Sequence, residues 1–258
     1  MPEGVHRPMK IAVCIKRVPD SEARIKIAAD AKSLDEAGVK FILNPYDEFA
    51  LEEALRRREA AGAGEVVIVC LGPAAAQETI RSALAIGADS GVLLQVERVP
   101  PDGLEVAKAL AAELKGGGFD LILFGKLAID DYNHQVGPMV AELLGWPCVT
   151  AITHLDLAQG RGSAEREIEG GVEVVDFPLP AVLTADKGLN EPRLPALKGI
   201  MAAKKKPLAV KPVTLGAGAI DVLAMLPPPE RKAGKIVGEG PSAVPELVRL
   251  LREEAKVL

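Results

Sequence analysis

One stretch of the chain decides the fold class: Phe119-Asp-Leu-Ile-Leu-Phe-Gly-Lys-Leu-Ala-Ile-Asp-Asp-Tyr-Asn-His-Gln-Val-Gly-Pro138. Its first part, to Gly125, is a short apolar run typical of a buried strand, and Asn133 to Leu144 has helical spacing. Polar residues lie between the two. In a parallel sheet such a junction lies at the carboxyl edge, where these sheets bind ligands. The stretch therefore predicts a parallel sheet with a ligand site at that edge.

Strand-like and helix-like segments alternate along the first half of the chain. Buried strands are expected at Lys10 to Lys16, Val39 to Leu43, Val66 to Leu71, Gly91 to Val96 and Phe119 to Gly125. Helices are expected at Tyr46 to Ala61, Ala74 to Ile86, Leu104 to Lys115 and Asn133 to Leu144. This alternation predicts an α/β fold with a mainly parallel sheet covered by helices on both faces.

The pattern changes after Trp146-Pro147. Thr150 to Leu157 and Ala164 to Phe177 predict a small antiparallel excursion, and Pro180 to Asp186 predicts another buried strand. From about Pro207 the chain is rich in Pro and Gly, with too little apolar pattern to fold alone. We therefore expect an α/β domain over residues 1–206 and an extended arm over residues 207–258 that packs on something else.

Composition and charge exclude several classes of function. The 31 Lys and Arg residues against 36 Asp and Glu give a net charge of −5, which disfavours nucleic acid as a partner. No apolar run approaches the roughly 18 residues of a membrane-spanning helix. Met1 to Lys10 has neither an apolar signal core nor an Arg-rich amphipathic pattern. We expect a cytoplasmic protein without membrane insertion.

The common catalytic and metal motifs are absent from the sequence. The cysteines lie in or beside apolar segments and are expected to be buried free thiols: Cys14, Cys70 and Cys148. The histidines are too scattered for a compact metal motif, and no metal is expected: His6, His134 and His154. The chain also lacks G-x-S-x-G, the Walker phosphate loop and G-x-G-x-x-G after a strand, so no catalytic residue is assigned.

A second junction between a strand and a helix carries Asn44-Pro45-Tyr46-Asp47. Asn44 can cap the helix, with Pro45 at the first helical position and Asp47 near the positive end. This junction would share an edge with the segment after Gly125, where a helix N-terminus offers free N–H groups to a phosphate. Two interpretations stay open: a nucleotide pocket, or acidic and amide residues that merely cap a helix, namely Asp130, Asp131 and Asn133.

Residues 189–206 combine apolar and basic side chains. The apolar ones are Leu194, Leu197, Ile200 and Met201, and two prolines within four residues stop regular structure, so an apolar loop is expected, either exposed or buried. From Arg193 to Lys211 there are six basic residues and no acidic one. An apolar anchor beside a basic patch is typical of a protein docking site, which we favour over a merely solvated charged face.

These segments, in this order, resemble the β subunit of electron transfer flavoprotein. The resemblance spans nearly the whole chain and rests on Ala12 to Val18, Asn44 to Asp47, Gly72 to Arg81, Ala85 to Asp89, Gly125 to Gly137, Glu165 to Gly171 and Leu189 to Arg193 with the Ile-Met and triple-lysine continuation. It implies a Rossmann-like fold of the adenine nucleotide alpha hydrolase type. It also implies an electron carrier, not an enzyme: one subunit of a heterodimer whose FAD is held mainly by the α subunit. The carrier would link flavin dehydrogenases, such as acyl-CoA dehydrogenases, to a quinone oxidoreductase.

The resemblance also assigns residues. It implies that this subunit binds one structural AMP through residues corresponding to Cys14, Asn44, Pro45, Tyr46, Asp47, Leu71, Gly125, Lys126, Ala128, Asp130, Asp131, Asn133, His134, Gln135 and Val136. It implies a partner-binding loop made of Arg193, Leu194, Leu197, Ile200 and Met201, in which Leu197 inserts into the dehydrogenase. Glu167 matches a carboxylate near the flavin that can pair with an arginine of the α subunit. The arm would wrap the α subunit.

Some positions depart from the AMP-binding pattern. Gln135-Val-Gly-Pro138 is similar to electron-bifurcating relatives, whose β subunit holds a second FAD in place of AMP. Those relatives usually have Gly-Asp-Thr after the Ile-Asp pair, where this chain has Asp131-Tyr132-Asn133. AMP is favoured, and a second FAD is the alternative. A stand-alone nucleotide-binding module of the stress-protein type is a third possibility, but its usual glycine-rich phosphate loop is absent.

Overall fold

The computed structural model describes residues 8–158, 160–229 and 233–258. The strands are β1 (Met9–Ile15), β2 (Arg17–Pro19), β3 (Phe41–Leu43), β4 (Gly64–Gly72), β5 (Ser90–Gln95), β6 (Leu121–Gly125), β7 (Cys148–Ala158), β8 (Arg161–Ile168), β9 (Gly171–Pro178), β10 (Ala181–Ala185) and β11 (Leu208–Pro212). The helices are α1 (Pro45–Ala61), α2 (Ala76–Ile86), α3 (Gly103–Leu114), α4 (Val136–Leu144), α5 (Leu197–Ala203) and α6 (Val244–Glu253).

A nine-stranded sheet organises the fold, in the order β11-β5-β4-β1-β6-β10-β7-β8-β9. All pairs from β11 to β7 are parallel, and β8 and β9 add an antiparallel end. The chain builds outward from β1 through β4 to β5 and then crosses to β6 on the other side of β1. This reversal makes the gap between β1 and β6 the topological switch point, where open α/β sheets bind ligands.

Helices cover both faces of the sheet, as predicted for a Rossmann-like α/β fold. Because side chains alternate along a strand, β1 contributes Ile11 and Val13 to one core and Ala12 to the other. The first core packs under α1 and α2 and includes the fully buried Leu51 of α1. The second packs under α3 and α4 and includes Leu110. Burial on both faces explains why the strands are continuous apolar runs.

The predicted strand Val39 to Leu43 does not join the main sheet. Phe41–Leu43 pairs antiparallel with β2 in a separate two-stranded sheet. Its prediction as a parallel strand of the main sheet is therefore wrong. The physical reason is that β1 already has β4 on one side and β6 on the other, so no hydrogen-bonding edge of β1 is free. The antiparallel excursion is confirmed, since β7, β8 and β9 pair in that sense.

The C-terminal arm begins inside the sheet and ends on the surface. Leu208–Pro212 forms β11, the edge strand beside β5. Farther along, the N–H of Ala219 donates to the Asp102 carboxylate at 2.7 Å and the N–H of Met225 donates to the Ala31 carbonyl at 2.7 Å. Helix α6 then has no buried residue, although Leu247 is one of its apolar side chains. The described part of the arm therefore ends in an uncovered helix.

Two further expectations concern cysteines and termini. Cys14 and Cys70 are buried and free, as expected, but Cys148 is exposed, so its predicted burial is wrong. The reason is its position, because Cys148 is the first residue of β7, at the amino edge of the sheet and outside both cores.

Most of the N-terminal segment, including His6, lies in residues 1–7, outside the described residues. Within the described ranges, no helix is both long and apolar enough to cross a membrane.

Candidate functional site

A cleft opens at the carboxyl edge of the sheet, at the switch point between β1 and β6. Its floor is made by Cys14 to Lys16 at the end of β1 and by Phe124 to Ala128 at the end of β6. One wall is the connection into α4, and the opposite wall is the connection from β5 into α3. This is the position that the strand order predicts for a ligand.

The structure brings most of the predicted nucleotide residues to this cleft. Those that line it are Cys14, Asp47, Leu71, Gly125, Lys126, Ala128, Asp131, Asn133, His134, Gln135 and Val136. The predicted residues that do not line it are Asn44, Pro45, Tyr46 and Asp130. The two predicted junctions therefore do meet at one edge, although they come from distant parts of the chain.

Asn44 joins the two junctions directly. Its Nδ2 donates to the Leu127 carbonyl at 2.8 Å, and its Oδ1 accepts from the N–H of Ile129 at 3.2 Å. Asn44 occupies the N-cap position of α1, as predicted, but its side chain makes no capping hydrogen bond, so the prediction that this side chain caps the helix is wrong. Pro45 does occupy the start of the helix, as predicted. The buried amide holds the loop after β6 instead.

Asp47 fixes the ends of the two central strands. Its Oδ2 accepts from the N–H of Lys16 at 2.7 Å, and its Oδ1 accepts from the N–H of Gly125 at 3.0 Å. Burial outweighs these hydrogen bonds and raises the pKa of Asp47 to about 7. Gly125 is needed here because a Cβ would lie 2.5 Å from Asp47 Oδ1 and 2.6 Å from the carbonyl carbon of Tyr46.

Lys16 forms ion pairs with both acidic residues of the loop after β6, Asp130 and Asp131. Its Nζ lies 2.8 Å from Asp130 Oδ1 and 2.8 Å from Asp131 Oδ2. Burial by itself would lower the pKa of Lys16, but Asp130 and Asp131 outweigh it and raise the pKa. Helix α4 begins only at Val136 and has no side-chain cap. The interpretation that these acidic residues merely cap a helix is therefore wrong.

The loop before α4 has an unusual backbone that exposes N–H groups. Tyr132 and His134 both have φ of 55°, in the left-handed region, which prevents the helix from starting at Asn133 as predicted. Gln135 then returns to φ −104°, ψ −40°. The N–H groups of His134, Gln135 and Val136 have no acceptor among the described residues. Successive N–H groups in such a turn, at the start of a helix, suit an anion such as a phosphate.

Sequence reasoning missed the wall between β5 and α3. Val99 to Pro101, Gly103 and Val106 line the cleft there. Asp102 caps α3 by accepting from the N–H of Leu104 at 2.9 Å. The signal was available, because this is a third junction from a strand to a helix at the same edge, and its Pro-Pro-Asp-Gly sequence marks a helix start.

Comparisons with known proteins identify the family. A model of the electron transfer flavoprotein domain matches residues 32–215. The electron transfer flavoprotein subunit beta of Bradyrhizobium diazoefficiens is 44% identical over 257 residues, 97% of this chain and 100% of that protein. The subunits beta of Bacillus subtilis and Homo sapiens are each 41% identical, over 97% and 96% of this chain and 100% and 99% of their own length. The chain belongs to the electron transfer flavoprotein beta-subunit family.

In this beta-subunit family member, residues 189–206 lie outside the cleft lining; we call them the docking segment. Its apolar side chains are uncovered: Leu194 is 90% exposed, Leu197 74% and Met201 66%, with Ile200 also exposed. The expectation of a loop is only partly right, because Leu197–Ala203 forms the short helix α5. Of the two expectations, an exposed or a buried apolar segment, the exposed one is confirmed.

Glu167 lies on the β8–β9 hairpin of this family member. It is exposed, opposite Val172 in the strand register, and no ion pair involves it among the described residues. The neighbouring Arg166 instead contacts Glu173 of β9. Nearby apolar side chains on the hairpin, Ile168 and Val174, are also exposed. Glu167 and these apolar side chains are therefore uncovered by the described residues. No cluster of three or more metal-binding side chains occurs in the described residues.

Proposed function

We propose that this chain is the β subunit of a heterodimeric electron transfer flavoprotein. The heterodimer accepts electrons from flavin dehydrogenases, such as acyl-CoA dehydrogenases, and passes them through FAD to a quinone oxidoreductase of the respiratory chain. The chain is an electron-carrier subunit and not an enzyme. The observation that carries the proposal is the exposure of Leu194, Leu197 and Met201 in a chain of this family. A cytoplasmic location stays a prediction.

The cleft fits an AMP as the nucleotide of this subunit. The N–H groups of His134, Gln135 and Val136 are available for its phosphate, as described above. Lys16 is committed to Asp130 and Asp131, so the backbone, not this ammonium group, is the available phosphate donor. Apolar lining from Leu71 and from the wall of α3 suits a planar base. These residues position and enclose the nucleotide, which has a structural role.

Two surfaces are available for the α subunit. Helix α6 is uncovered, and Leu247 belongs to its apolar side chains, so the arm over residues 207–258 is proposed to pack on that subunit through its end, while its first part, β11, stays in the sheet of this chain. Glu167 is proposed to pair with an arginine of the α subunit near the flavin, which the α subunit mainly holds. FAD supplies the electron-transfer chemistry when it is bound. The residues of this chain place the carboxylate and dock the partners.

The first test is the nucleotide content of the complex. The chain is co-expressed with its α subunit, the complex is purified and denatured, and the released nucleotides are identified by mass. One FAD and one AMP per heterodimer are expected. Two FAD and no AMP would support the electron-bifurcating alternative, and the absence of a complex or of flavin would refute the proposal.

The second test concerns the docking segment. Leu197→Ala is expected to slow FAD reduction by an acyl-CoA dehydrogenase while the FAD and AMP content stays unchanged. Ile25→Ala is the matched control, because Ile25 is another exposed apolar residue, outside the docking segment. An unchanged reduction rate in Leu197→Ala, or a loss of flavin, would refute this assignment of the docking surface.

A further inference from the structure

The docking segment exposes its apolar side chains although its backbone is held firmly. An apolar side chain on a free loop would fold back onto the nearest apolar surface, because burial stabilises it. Leu194 and Leu197 nevertheless remain 90% and 74% exposed. The contacts that hold the segment therefore decide whether these side chains are presented to solvent.

The first point of attachment is Arg193, which precedes Leu194. Its guanidinium lies against two carboxylates of α1: Nε is 2.8 Å from Glu52 Oε2 and Nη2 is 3.0 Å from Glu52 Oε1. Nη1 is 2.6 Å from Glu59 Oε1 and Nη2 is 2.9 Å from Glu59 Oε2. Both pairs are bidentate, a geometry that fixes orientation as well as distance. Glu52 is only 4% exposed, whereas Arg193 is 36% exposed, so the pair joins a buried carboxylate to a guanidinium at the surface.

Asn190 adds a second contact with the same helix. Its Nδ2 donates to the Phe49 carbonyl at 3.0 Å and to Glu53 Oε2 at 3.2 Å. The side chain is buried. Residues of α1 from Phe49 to Glu59 therefore hold the start of the docking segment.

The other end of the segment is held by α2. A Cβ on Gly199 would lie 2.3 Å from the Ala85 carbonyl oxygen, so α5 approaches α2 as closely as a glycine allows. Arg81 of α2 donates to the carbonyls of Ala203 and Lys206 at the end of α5, at 2.5 and 2.7 Å. Lys206 in turn donates to the carbonyl of Leu84 at 2.9 Å, near the end of α2. Arg81 therefore lies at the C-terminus of α5, and Lys206 lies at the C-terminus of α2. A positive charge is favourable at both places because the C-terminus of a helix carries partial negative charge.

We propose that Arg193 is a positioning residue for the docking of a flavin dehydrogenase: through Glu52 and Glu59 it fixes the entry to α5, so that Leu194 and Leu197 are presented to the partner in their binding conformation. This rests on the proposed function, in which the docking segment contacts the dehydrogenase. A surface that is already ordered binds without the conformational entropy loss of ordering it. Removal of the ion pairs frees the segment and weakens docking, while the flavin and its chemistry stay unchanged.

The test uses the intact heterodimer with its bound nucleotides. Arg193→Gln is expected to raise the KM for reduced acyl-CoA dehydrogenase about tenfold, the size expected when a few side chains must be ordered on binding, with kcat unchanged. Arg193→Lys keeps the positive charge but not the bidentate geometry. Its KM is therefore expected to lie between that of wild type and that of Arg193→Gln. Arg56→Gln is the matched control, because Arg56 pairs with the same Glu52 but does not contact the docking segment. Its KM is expected to match that of wild type.

Two further measurements separate positioning from general destabilisation. Amide hydrogen exchange in residues 194–203 is expected to quicken in Arg193→Gln and to stay unchanged in Arg56→Gln. Combination of Arg193→Gln with Leu197→Ala is expected to raise KM by less than the product of the two single effects, because the residue being positioned is then absent. If Arg193→Gln does not fold, Glu59→Gln replaces it, with a smaller expected increase in KM.

The outcomes distinguish this inference from the proposed function. If Leu197→Ala leaves KM unchanged, the docking surface itself is wrong, and the inference falls with it. If Leu197→Ala raises KM but Arg193→Gln and Glu59→Gln do not, the docking surface stands and the positioning role of Arg193 is refuted. Fully multiplicative effects of Arg193→Gln and Leu197→Ala would also refute it.

Discussion

Replacement of Asp47 by asparagine tests the electrostatics of the cleft. Asp47 is buried beneath the switch point and accepts one hydrogen bond from the N–H of Lys16 and one from the N–H of Gly125. Burial raises the pKa of this carboxyl from an ordinary 3.8 to about 7. The asparagine has nearly the same shape but does not titrate. Its Nδ2 cannot accept one of the two N–H hydrogen bonds, but this loss is the same at every pH, so the change with pH in the difference between the two proteins isolates the effect of the proton.

The pH dependence that Asp47 gives to the unfolding free energy follows from the linkage between proton binding and folding. The folded chain binds the Asp47 proton more tightly than the unfolded chain. The contribution of Asp47 to the free energy of unfolding is therefore greatest below the unfolded pKa and is lost as pH rises through the folded pKa. A pKa difference of one corresponds to ~1.36 kcal/mol, so the rise from 3.8 to about 7 amounts to about 4 kcal/mol in total. About 1.4 kcal/mol of this falls between pH 6 and pH 8.

The assay is urea unfolding of the isolated chain without nucleotide, at pH 6 and at pH 8. Trp146, the single tryptophan of the sequence, packs against the core under α3 and α4 and reports unfolding by its fluorescence. The unfolding free energy of wild type minus that of Asp47→Asn is expected to fall by about 1.4 kcal/mol between the two pH values. Asp221→Asn, at an exposed carboxyl of the arm, is the control and is expected to show no such change.

A result in the opposite direction would refute the reasoning. The unfolding free energy of wild type minus that of Asp47→Asn could instead stay constant or grow between pH 6 and pH 8. The carboxylate of Asp47 would then be ionised in the folded chain throughout this range. The two N–H donors and the neighbouring Lys16 would then outweigh burial.

Two further predictions concern packing and thiol reactivity. Gly125→Ala is expected to lower the unfolding free energy by about 1–3 kcal/mol and to reduce the AMP content of the heterodimer, because its Cβ would meet Asp47 Oδ1 and the backbone of Tyr46. Gly171→Ala, with nothing within 4 Å of its Cβ, is the matched control, and equal melting temperatures for the two variants would contradict the prediction. A thiol reagent is expected to label Cys148 alone in the native chain, as measured by peptide mass, since Cys14 and Cys70 are buried. Desolvation raises the pKa of Cys148 to about 11, so labelling is expected to quicken as pH rises, and a labelled Cys14 in native protein would contradict the assignment.

Local sequence patterns predicted much of the candidate site. The two junctions at Asn44 to Asp47 and at Gly125 to Val136 meet at one edge of the sheet, because every parallel strand ends on the same side. The wall at Val99 to Val106 follows the same rule, so the sequence also contains the signal for this third junction. The role of Asn44 is different, since its partners Leu127 and Ile129 are more than eighty residues away.

The sequence by itself determined most of the element types and their order as far as Asp186, but neither α5 nor β11. Hydrophobic periodicity, a proline at a helix start and a polar turn after a strand act over a few residues, so they can be read without the fold. Only the tertiary structure decided which acidic residues pair with Lys16, where Phe41–Leu43 finds a partner strand and whether Leu197 is exposed. Lys16 and Asp130 are 114 residues apart, and such contacts depend on the sheet order and on which strand edges are already occupied. These are properties of the assembled chain, because hydrogen-bonding edges and burial exist only once distant segments have packed together.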